Sequence, residues 1–373
     1  MQALAASFLQ SHLAALIGAT GRVMNQSNEN EIQCGARLPR RRSSLSPDAY
    51  VSGVLAGDRG VLARAITLVE SNSPLHEAQA QEVLQRLLPH TGKAKRIGIT
   101  GVPGVGKSTF IEGFGCFLVE QGRKLAVLTI DPTSKRSGGS ILGDKTRMEK
   151  LSREPRAFIR PSPAGDSLGG VARRTRETLL LCEAAGFDTI LVETVGVGQS
   201  ETALRSMVDF FLLLLLPGAG DELQGIKKGI IEMADSVLIN KADGDNRLRA
   251  QQARAEQENA VHCLQSATPG WKTEVSLCSA LTGEGIPEAW ELIQRFYRQM
   301  EPAGVIAKRR QQQSLDWLAD LIRDELLRRF YHHPKVKAQL APLQQALLRG
   351  DTTAVRAARE LLDIFGTTNQ PLE

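Results

Sequence analysis

The spacing of hydrophobic positions changes along the chain, and each change indicates a different kind of structure. From Ser46 to Pro89 apolar residues recur at helical spacing, which predicts two helices. Between residues 93 and 301 short apolar runs alternate with helical stretches, as is typical of a parallel sheet with crossover helices. The predicted strands are Arg96–Thr100, Leu125–Ile130, Ala157–Arg160, Thr189–Glu193, Asp209–Leu216, Ser236–Asn240 and Thr273–Leu277.

Beyond Pro302 no strand is evident, and the sequence predicts helices there, including two that begin near Lys335 and Thr352. We interpret an apolar stripe at helical spacing as core in preference to a partner-binding surface; it comprises Leu315, Leu318, Leu321, Ile322, Leu326 and Leu327. The His332–His333 pair is interpreted as a helix end in preference to a metal site. The most apolar run, Phe210–Leu216, falls far short of the roughly 20 residues that a membrane-spanning helix needs, so it predicts a buried strand.

Composition and charge narrow the class of protein. The chain has 373 residues, of which 42% are hydrophobic and 23% charged, as in an ordinary globular protein of about two domains. The formal net charge is +5, and five basic against two acidic residues up to Arg42 account for +3 of it. A nucleic-acid-binding protein with a basic body is therefore not expected.

Residues 1–45 are expected to be a leader outside the folded domains. The chain to Ile17 is rich in Ala and Leu and lacks acidic residues. A disordered arm and a translation start placed too far upstream, with Met24 as the true start, explain this stretch equally well. An organelle transit peptide is the third alternative, because basic residues are sparse before Arg37.

The five cysteines are odd in number, scattered and never in CxxC spacing. This pattern favours reduced thiols in a cytoplasmic protein over a disulfide framework or a structural zinc site.

A glycine-rich motif follows the first predicted strand and precedes a helical stretch, Thr109–Glu120. It matches GxxxxGK[ST], the loop that binds nucleotide phosphates, and comprises Gly101, Val102, Pro103, Gly104, Val105, Gly106, Lys107, Ser108 and Thr109. Its glycines allow backbone N–H groups to surround the β-phosphate, and the helix N-terminus adds a positive end. We expect Lys107 to reach the β- and γ-phosphate oxygens as a catalytic residue, and Ser108 to bind magnesium.

A second motif, Asn240-Lys241-Ala242-Asp243, directly follows the strand that contains Val237–Ile239. The Asp243 carboxylate can accept both the ring N–H and the exocyclic N–H of guanine, which adenine cannot offer in this arrangement. We expect Asn240 to tie this loop to the phosphate loop and the Lys241 stem to cover the base. A further loop, Ser279-Ala280-Leu281, is expected to contact the guanine oxygen through its backbone. The nucleotide is therefore predicted to be GTP or GDP.

Glu193-Thr194-Val195-Gly196 ends another predicted strand and resembles the magnesium and γ-phosphate element of GTPases. The Gly196 N–H would contact the γ-phosphate. Val197 occupies the position after this glycine, where some GTPases carry a water-orienting glutamine, so intrinsic hydrolysis is expected to be slow. Gln199 lies nearby but is displaced.

Two further carboxylates, Asp131 at the end of the second strand and Asp144 after a Gly-Gly turn, are candidate magnesium ligands, and Asp131 is a candidate to hold the attacking water. The alternative for each is a helix cap. Lys145 and Arg147 are as consistent with a solvated helix start as with neutralisation of transition-state charge.

Together these segments resemble the MeaB/ArgK family of P-loop GTPases, whose relatives include the human methylmalonic aciduria type A protein. The resemblance rests on GVPGVGKST, DPTS, GGSILGDKTRM, RPSPAGDSLGGVARRTRET, ETVGVGQSE, GDELQGIKKGIIEMAD and NKAD, and runs from about Ser46 to the C-terminus. It implies an α/β fold: a P-loop NTPase of the SIMIBI class, mainly a parallel sheet with helices on both faces, with helical N- and C-terminal extensions. The implied segments are an N-terminal helical segment (46–92), a GTPase domain (93–301) and a C-terminal helical dimerisation arm (302–373).

The resemblance also implies a function. It predicts a homodimeric GTPase that acts as a chaperone of an adenosylcobalamin-dependent methylmalonyl-CoA mutase, gating cofactor loading and protecting the mutase from inactivation. The implied magnesium shell is Ser108, Asp131, Asp144 and Glu193. The implied partner switch spans residues 221–228 and includes Asp221, Glu222, Gln224, Lys227 and Lys228.

Two alternatives to the chaperone remain. One is a nucleotide-dependent kinase of lysine/arginine/ornithine transport proteins, a name also given to this family, although the guanine motif argues against an ATP-dependent kinase. The other is a regulatory binding module in which hydrolysis is incidental, which Val197 keeps open.

Overall fold

A computed structural model describes residues 45–71, 73–130, 148–161, 168–194, 200–218 and 228–367. The leader up to residue 44 lies outside these ranges.

The centre of the fold is a seven-stranded sheet in which every pairing is parallel. Its spatial order is β3-β2-β4-β1-β5-β6-β7. The strands are β1 (Lys95–Gly101), β2 (Leu125–Ile130), β3 (Ala157–Arg160), β4 (Thr189–Thr194), β5 (Phe210–Leu215), β6 (Ser236–Ile239) and β7 (Glu274–Leu277). All seven predicted strands are confirmed to within two residues at each end. Every residue of β2, β4, β5 and β6 is buried, as expected for parallel strands covered on both faces.

Thirteen α-helices flank or extend this sheet within the described ranges. They are α1 (Pro47–Leu55), α2 (Arg59–Glu70), α3 (Pro74–Leu87), α4 (Lys107–Glu120), α5 (Glu149–Arg153), α6 (Leu168–Ala184), α7 (Ser200–Arg205), α8 (Lys228–Ile231), α9 (Arg247–His262), α10 (Ile286–Met300), α11 (Val305–His332), α12 (Pro334–Arg349) and α13 (Ala354–Thr367). Two 3-10 turns, Leu88–His90 and Gly244–Asn246, complete the described elements.

Each face of the sheet has its own hydrophobic core. On one face α4 and α10 pack on the strands, and aromatic rings such as Phe110, Phe114 and Phe296 lie in this core. On the other face the core joins α6 and α7 with α1, α2 and α3, through residues such as Leu179 and Leu204. The helices before β1 are thus part of the second core.

The N-terminal segment has three helices, so the prediction of two is wrong. The predicted first helix is interrupted after Leu55, where Gly57 adopts a positive φ of 72°. Asp58 then starts α2 by accepting hydrogen bonds from the N–H groups of Gly60 (2.7 Å) and Val61 (3.0 Å). Such an N-cap favours a new helix over continuation of the old one.

In the C-terminal segment the predicted helices are confirmed, and α11 ends at His332 as the histidine pair predicted. The interpretation of the leucine stripe as core is wrong for this chain. Five of its six residues are 48–60% exposed: Leu315, Leu318, Ile322, Leu326 and Leu327. With 28 residues, α11 is roughly 42 Å long, and Ile306 at its start is its one buried residue.

None of the helices in the described parts of the chain has the length and apolar character needed to cross a membrane. The predicted buried strand at Phe210–Leu216 is confirmed as β5.

Candidate functional site

The predicted motifs meet at the carboxyl ends of the central strands. β1 pairs with β4 on one side and with β5 on the other, so the chain reverses its direction of winding at β1. In open α/β sheets, ligands bind in the crevice at this point. The phosphate motif begins at the last residue of β1, Glu193 lies near the end of β4, and Asn240 and Ser279 lie in the loops after β6 and β7.

The phosphate loop needs glycine at two positions for steric reasons. Gly106 has a φ of 92°, and a Cβ there would lie 2.9 Å from Nδ2 of Asn240. A Cβ on Gly101 would lie 2.4 Å from the carbonyl oxygen of Leu214 on β5. Helix α4 begins at Lys107 in this motif and has no side-chain cap, so no capping side chain competes with an anion for the N–H groups of its first turn.

Lys107 lies over its own loop. Its Nζ donates hydrogen bonds to the carbonyl oxygens of Gly101 (2.7 Å) and Val102 (3.2 Å). Burial lowers the pKa of the Lys107 ammonium, while the nearby carboxylates of Glu193 and Glu201 act in the opposite direction. Carbonyl contacts can be exchanged for phosphate oxygens at little cost, so this lysine is placed to bind an anion.

Glu201 is a further carboxylate near Lys107, close enough to favour its charged form, and it was not among the predicted site residues. It lies near the start of α7, is almost completely buried, and belongs to the segment ETVGVGQSE. Its position in that segment could have singled it out. An acidic residue in the first turn of a helix is also common at solvated helix N-termini, so the sequence alone did not distinguish the two.

A hydroxyl and a carboxylate meet beside the phosphate loop. Ser108 Oγ lies 3.4 Å from Oε1 of the buried Glu193 side chain. Glu193 on β4 is in register with Ile99 on β1 and with Thr129 on β2, so Thr129 points to the same face of the sheet. The buried Thr129 Oγ1 has no hydrogen-bond partner among the described residues.

These hard oxygen donors suit the chemistry of Mg²⁺. Within the described residues no group of three or more His, Cys, Asp or Glu side chains is placed to hold a metal ion. The other two predicted ligands, Asp131 and Asp144, lie outside the described residues, as does Gly196. The magnesium shell therefore stays a prediction, consistent with the donors that Ser108 and Glu193 offer.

Asn240 connects three loops. Its Nδ2 donates to the carbonyl oxygen of Val105 in the phosphate loop (2.7 Å), and its Oδ1 accepts from the N–H of Ala280 (3.0 Å). The side chain is fully buried. The N–H of Ala242 donates to the carbonyl oxygen of Cys278 (3.1 Å), which adds a backbone link between the same two loops. A buried amide with both ends bonded fixes the base-binding loops relative to the phosphate loop.

The Asp243 carboxylate is oriented by its neighbours. It accepts a hydrogen bond from Ser279 Oγ, which in turn accepts from the N–H of Thr282 (3.1 Å). Lys241 has a φ of 59°, the one positive φ of a non-glycine residue in the described chain, and such strain concentrates at binding sites. Leu281 is 81% exposed at the rim of this loop.

The predicted partner switch is not described by the structure, except for its last residue. Asp221, Glu222, Gln224 and Lys227 lie outside the described residues, and Lys228 begins α8. These assignments remain predictions.

Comparison with known proteins agrees with this geometry. The family model "Methylmalonyl Co-A mutase-associated GTPase MeaB" matches residues 62–335. A "Putative GTPase" of Caulobacter vibrioides is 54% identical over 323 residues, covering 87% of this chain and 99% of that protein. The "Methylmalonic aciduria type A homolog, mitochondrial" of Mus musculus is 48% identical over 328 residues, covering 85% of this chain and 79% of that protein.

A solved structure, "Crystal structure of LAO/AO transport system kinase", is 38% identical with a TM-score of 0.69, and the match covers 86% of this chain and 97% of that one. The predicted fold class and the predicted GTP-hydrolysing activity are confirmed. On its sequence, its sheet and its nucleotide motifs, the chain belongs to the MeaB family of methylmalonyl-CoA mutase-associated GTPases.

Proposed function

We propose that this GTPase is a GTP-dependent chaperone of an adenosylcobalamin-dependent mutase of the methylmalonyl-CoA mutase type, gating cofactor loading and protecting the mutase from inactivation. The observation that carries the proposal is the family match over residues 62–335, which includes every described nucleotide motif. The family is described as mutase-associated, and the mouse relative is named for methylmalonic aciduria.

In the proposed mechanism the backbone N–H groups of the phosphate loop surround the β-phosphate, and Lys107 exchanges its bonds to Gly101 and Val102 for phosphate oxygens. Asp243, held by Ser279, accepts the two guanine N–H groups. Ser108 and Glu193, with Asp131 and Asp144, would hold Mg²⁺, which neutralises charge on the β- and γ-phosphates when bound. Because the Val197 side chain has no amide to orient water, intrinsic hydrolysis is expected to be slow.

Slow hydrolysis suits a protein whose GTP state must persist until a partner responds. In this mechanism Gly196 contacts the γ-phosphate, and the segment that contains it rearranges on hydrolysis. The stretch Asp221–Lys228 is proposed to pass that change to the mutase.

We also propose that the protein is a homodimer that associates through α11. The exposed stripe on this helix is apolar over about three turns, from Leu315 to Leu326, and a second copy of the chain would bury it. Replacing Leu318 and Ile322 together with Asp is expected to shift the protein to monomer in sedimentation velocity. The same change at Leu348, which is 80% exposed on α12, serves as the control.

A cytoplasmic location is proposed as well. The four described cysteines, Cys116, Cys182, Cys263 and Cys278, are free thiols, which suits a reducing compartment.

The proposal is tested by single-turnover GTP hydrolysis with and without a candidate cobalamin-dependent mutase. We expect the mutase to accelerate hydrolysis at least about tenfold, because a partner supplies the missing water-positioning contacts. In the same mixture, adenosylcobalamin transfer into the apo-mutase should depend on GTP and stop with Lys107→Ala. Unchanged hydrolysis together with nucleotide-independent loading of several such mutases would refute the chaperone role.

The similarity to the solved structure of an LAO/AO transport system kinase supports a second candidate, phosphoryl transfer to a transport protein. Nucleotide preference separates the two proposals. A kinase that uses ATP should prefer ATP to GTP and tolerate Asp243→Asn, whereas the guanine site described above predicts the opposite on both counts.

A further inference from the structure

The helix that follows the proposed γ-phosphate segment is held at its far end by side chains of the C-terminal arm. α7 begins at Ser200, directly after residues 195–199, and leads through residues 206–209 into β5. Gln313 on α11 donates from its Nε2 to the carbonyl oxygens of Arg205 (3.2 Å) and Val208 (2.9 Å). The last carbonyls of a helix have no partner within the helix, so these bonds complete its C-terminal end.

Arg176 on α6 binds the same stretch of chain, and we call the contacts of residues 205–209 with α6 and α11 the joint. Its Nη2 donates to the carbonyl oxygen (3.1 Å) and the Oγ (2.6 Å) of Ser206. Its guanidinium carbon lies 5.5 Å from the centre of the Trp317 ring on α11. Arg309, also on α11, donates to the carbonyl oxygen of Asp209. Four carbonyls between residues 205 and 209 are thus bound by side chains of α6 and α11.

This joint also retains unused hydrogen-bonding capacity. Six buried side-chain polar atoms lack a partner among the described residues, and three of them lie here: Arg176 Nε, Gln313 Oε1 and Trp317 Nε1. Buried polar groups are nearly always bonded, so these two donors and one acceptor have bonding capacity that the described contacts do not use.

We propose that Gln313 and Arg176 are positioning residues that couple the nucleotide state to the C-terminal arm: they fix the end of α7, so a shift of α7 on γ-phosphate binding changes how α11 is held. The proposal rests on the proposed role of Gly196 in contacting the γ-phosphate, and it needs no mutase. Coupling of this kind is reciprocal. A change in the joint must therefore alter the preference for GTP over GDP.

The test measures the dissociation constants of GDP and of a non-hydrolysable GTP analogue for the full chain. Gln313→Leu keeps the side-chain size and removes both bonds to the end of α7. The matched control is Gln312→Leu, because Gln312 is exposed and bonds to Asp316 on its own helix (2.9 Å). We expect the ratio of the two constants to change roughly threefold to tenfold in Gln313→Leu and to stay at the wild-type value in Gln312→Leu.

Hydrogen exchange supplies a second readout. In the wild type, exchange at residues 200–209 and 309–317 should differ between the GDP and the analogue states, and in Gln313→Leu the difference at 309–317 should disappear. Equal changes in both dissociation constants, or none, would overturn the coupling and leave Gln313 with a purely structural role. If Gln313→Leu does not fold, Ser206→Ala applies the same two readouts to the bond from Arg176.

A wild-type protein without a nucleotide-dependent difference at 200–209 would also overturn the coupling. That result would leave the mutase role untouched, since the role is tested by hydrolysis and cofactor transfer with the partner present. Conversely, if no mutase changed GTP hydrolysis or cofactor loading, the coupling could still be measured, because both readouts use the isolated protein.

Discussion

At the amino edge of the sheet, where the strands begin, buried carboxylates pair with arginines; at the carboxyl edge, the Lys107 ammonium hydrogen-bonds to backbone carbonyls. Arg310 binds both carboxylate oxygens of the fully buried Asp209, at 2.7 Å and 2.6 Å. Asp235, also fully buried, is bound by Arg205 and Thr268. Both of these buried carboxylates have an arginine as partner.

At the carboxyl edge the Lys107 ammonium has backbone carbonyls as its hydrogen-bond partners, and the contact between Ser108 and Glu193 is long at 3.4 Å. A carboxylate and a guanidinium that bind each other are not available to a ligand, whereas a lysine whose hydrogen-bond partners are backbone carbonyls can bind a phosphate instead. The difference separates the two edges by role: the amino edge stabilises the fold and holds the C-terminal arm, and the carboxyl edge binds the nucleotide.

The largest expected effect is on stability at the amino edge. Asp209→Asn should lower the free energy of unfolding by about 3–5 kcal/mol, because it leaves the largely buried Arg310 without its counter-charge. Urea unfolding of the nucleotide-free protein measures this loss. Asp320→Asn breaks an exposed pair with Arg323 and should cost less than about 1 kcal/mol. Similar losses in both variants would mean that the amino edge does not have the stabilising role assigned to it.

That network could not be predicted from the sequence. Asp209 and Arg310 are 101 residues apart, and nothing in the local pattern pairs one aspartate with one arginine over such a distance. The strands were predictable because each is a short, continuous apolar run with a motif at its end. The P-loop, Asn240 and Asp243 were predictable because phosphate and guanine recognition needs those residue types at strand ends.

Two predictions were wrong, the core position of the leucine stripe and the number of N-terminal helices, because the local spacing of apolar residues does not determine either. The leucine stripe has the spacing of a core helix, but five of its six residues are exposed, and their spacing along the chain does not show which elements pack beside α11. The break between α1 and α2 depends on Gly57 and the Asp58 cap, which the helical spacing of the flanking apolar residues conceals.

The second prediction concerns the carboxyl edge. Lys107→Met should lower the rate of single-turnover GTP hydrolysis roughly 100- to 1,000-fold, since it removes a charge directed at the phosphates. It should not lower the free energy of unfolding, because burial already disfavours this ammonium, as its lowered pKa indicates. Hydrolysis and urea unfolding measured on the same preparation check both statements. If Lys107→Met lost several kcal/mol of stability, Lys107 would have a stabilising role like that of the charged pairs at the amino edge.

The third prediction concerns the guanine loop. Asp243→Asn should weaken GDP binding roughly 10- to 100-fold, because the amide cannot accept both guanine N–H groups. Binding of a xanthine nucleotide, which has an oxygen in place of the exocyclic amine, should improve. Asp245→Asn is the control, since this residue is exposed two positions further on. Equal affinity of both variants for GDP would contradict the assignment of the base site.

The smallest expected effect tests whether the amino edge contains any titrating group. Tyr297 is buried there and donates a hydrogen bond to Asp209 Oδ2 (2.9 Å). Tyr297→Phe should therefore cost about 1 kcal/mol at pH 7. Burial and the Asp209 carboxylate raise the pKa of Tyr297 well above 10.0. The folded state then keeps a proton that the unfolded state loses above pH 10, so this residue makes the wild type less stable as the pH rises through that range. Unfolding curves at pH 7, 9 and 10.5 should show a steeper decline for wild type than for Tyr297→Phe above pH 10 and parallel behaviour below it. Parallel curves for the two proteins up to pH 10.5 would mean that Tyr297 titrates in the folded protein as it does in the unfolded chain, and that the amino edge is open to solvent at this residue.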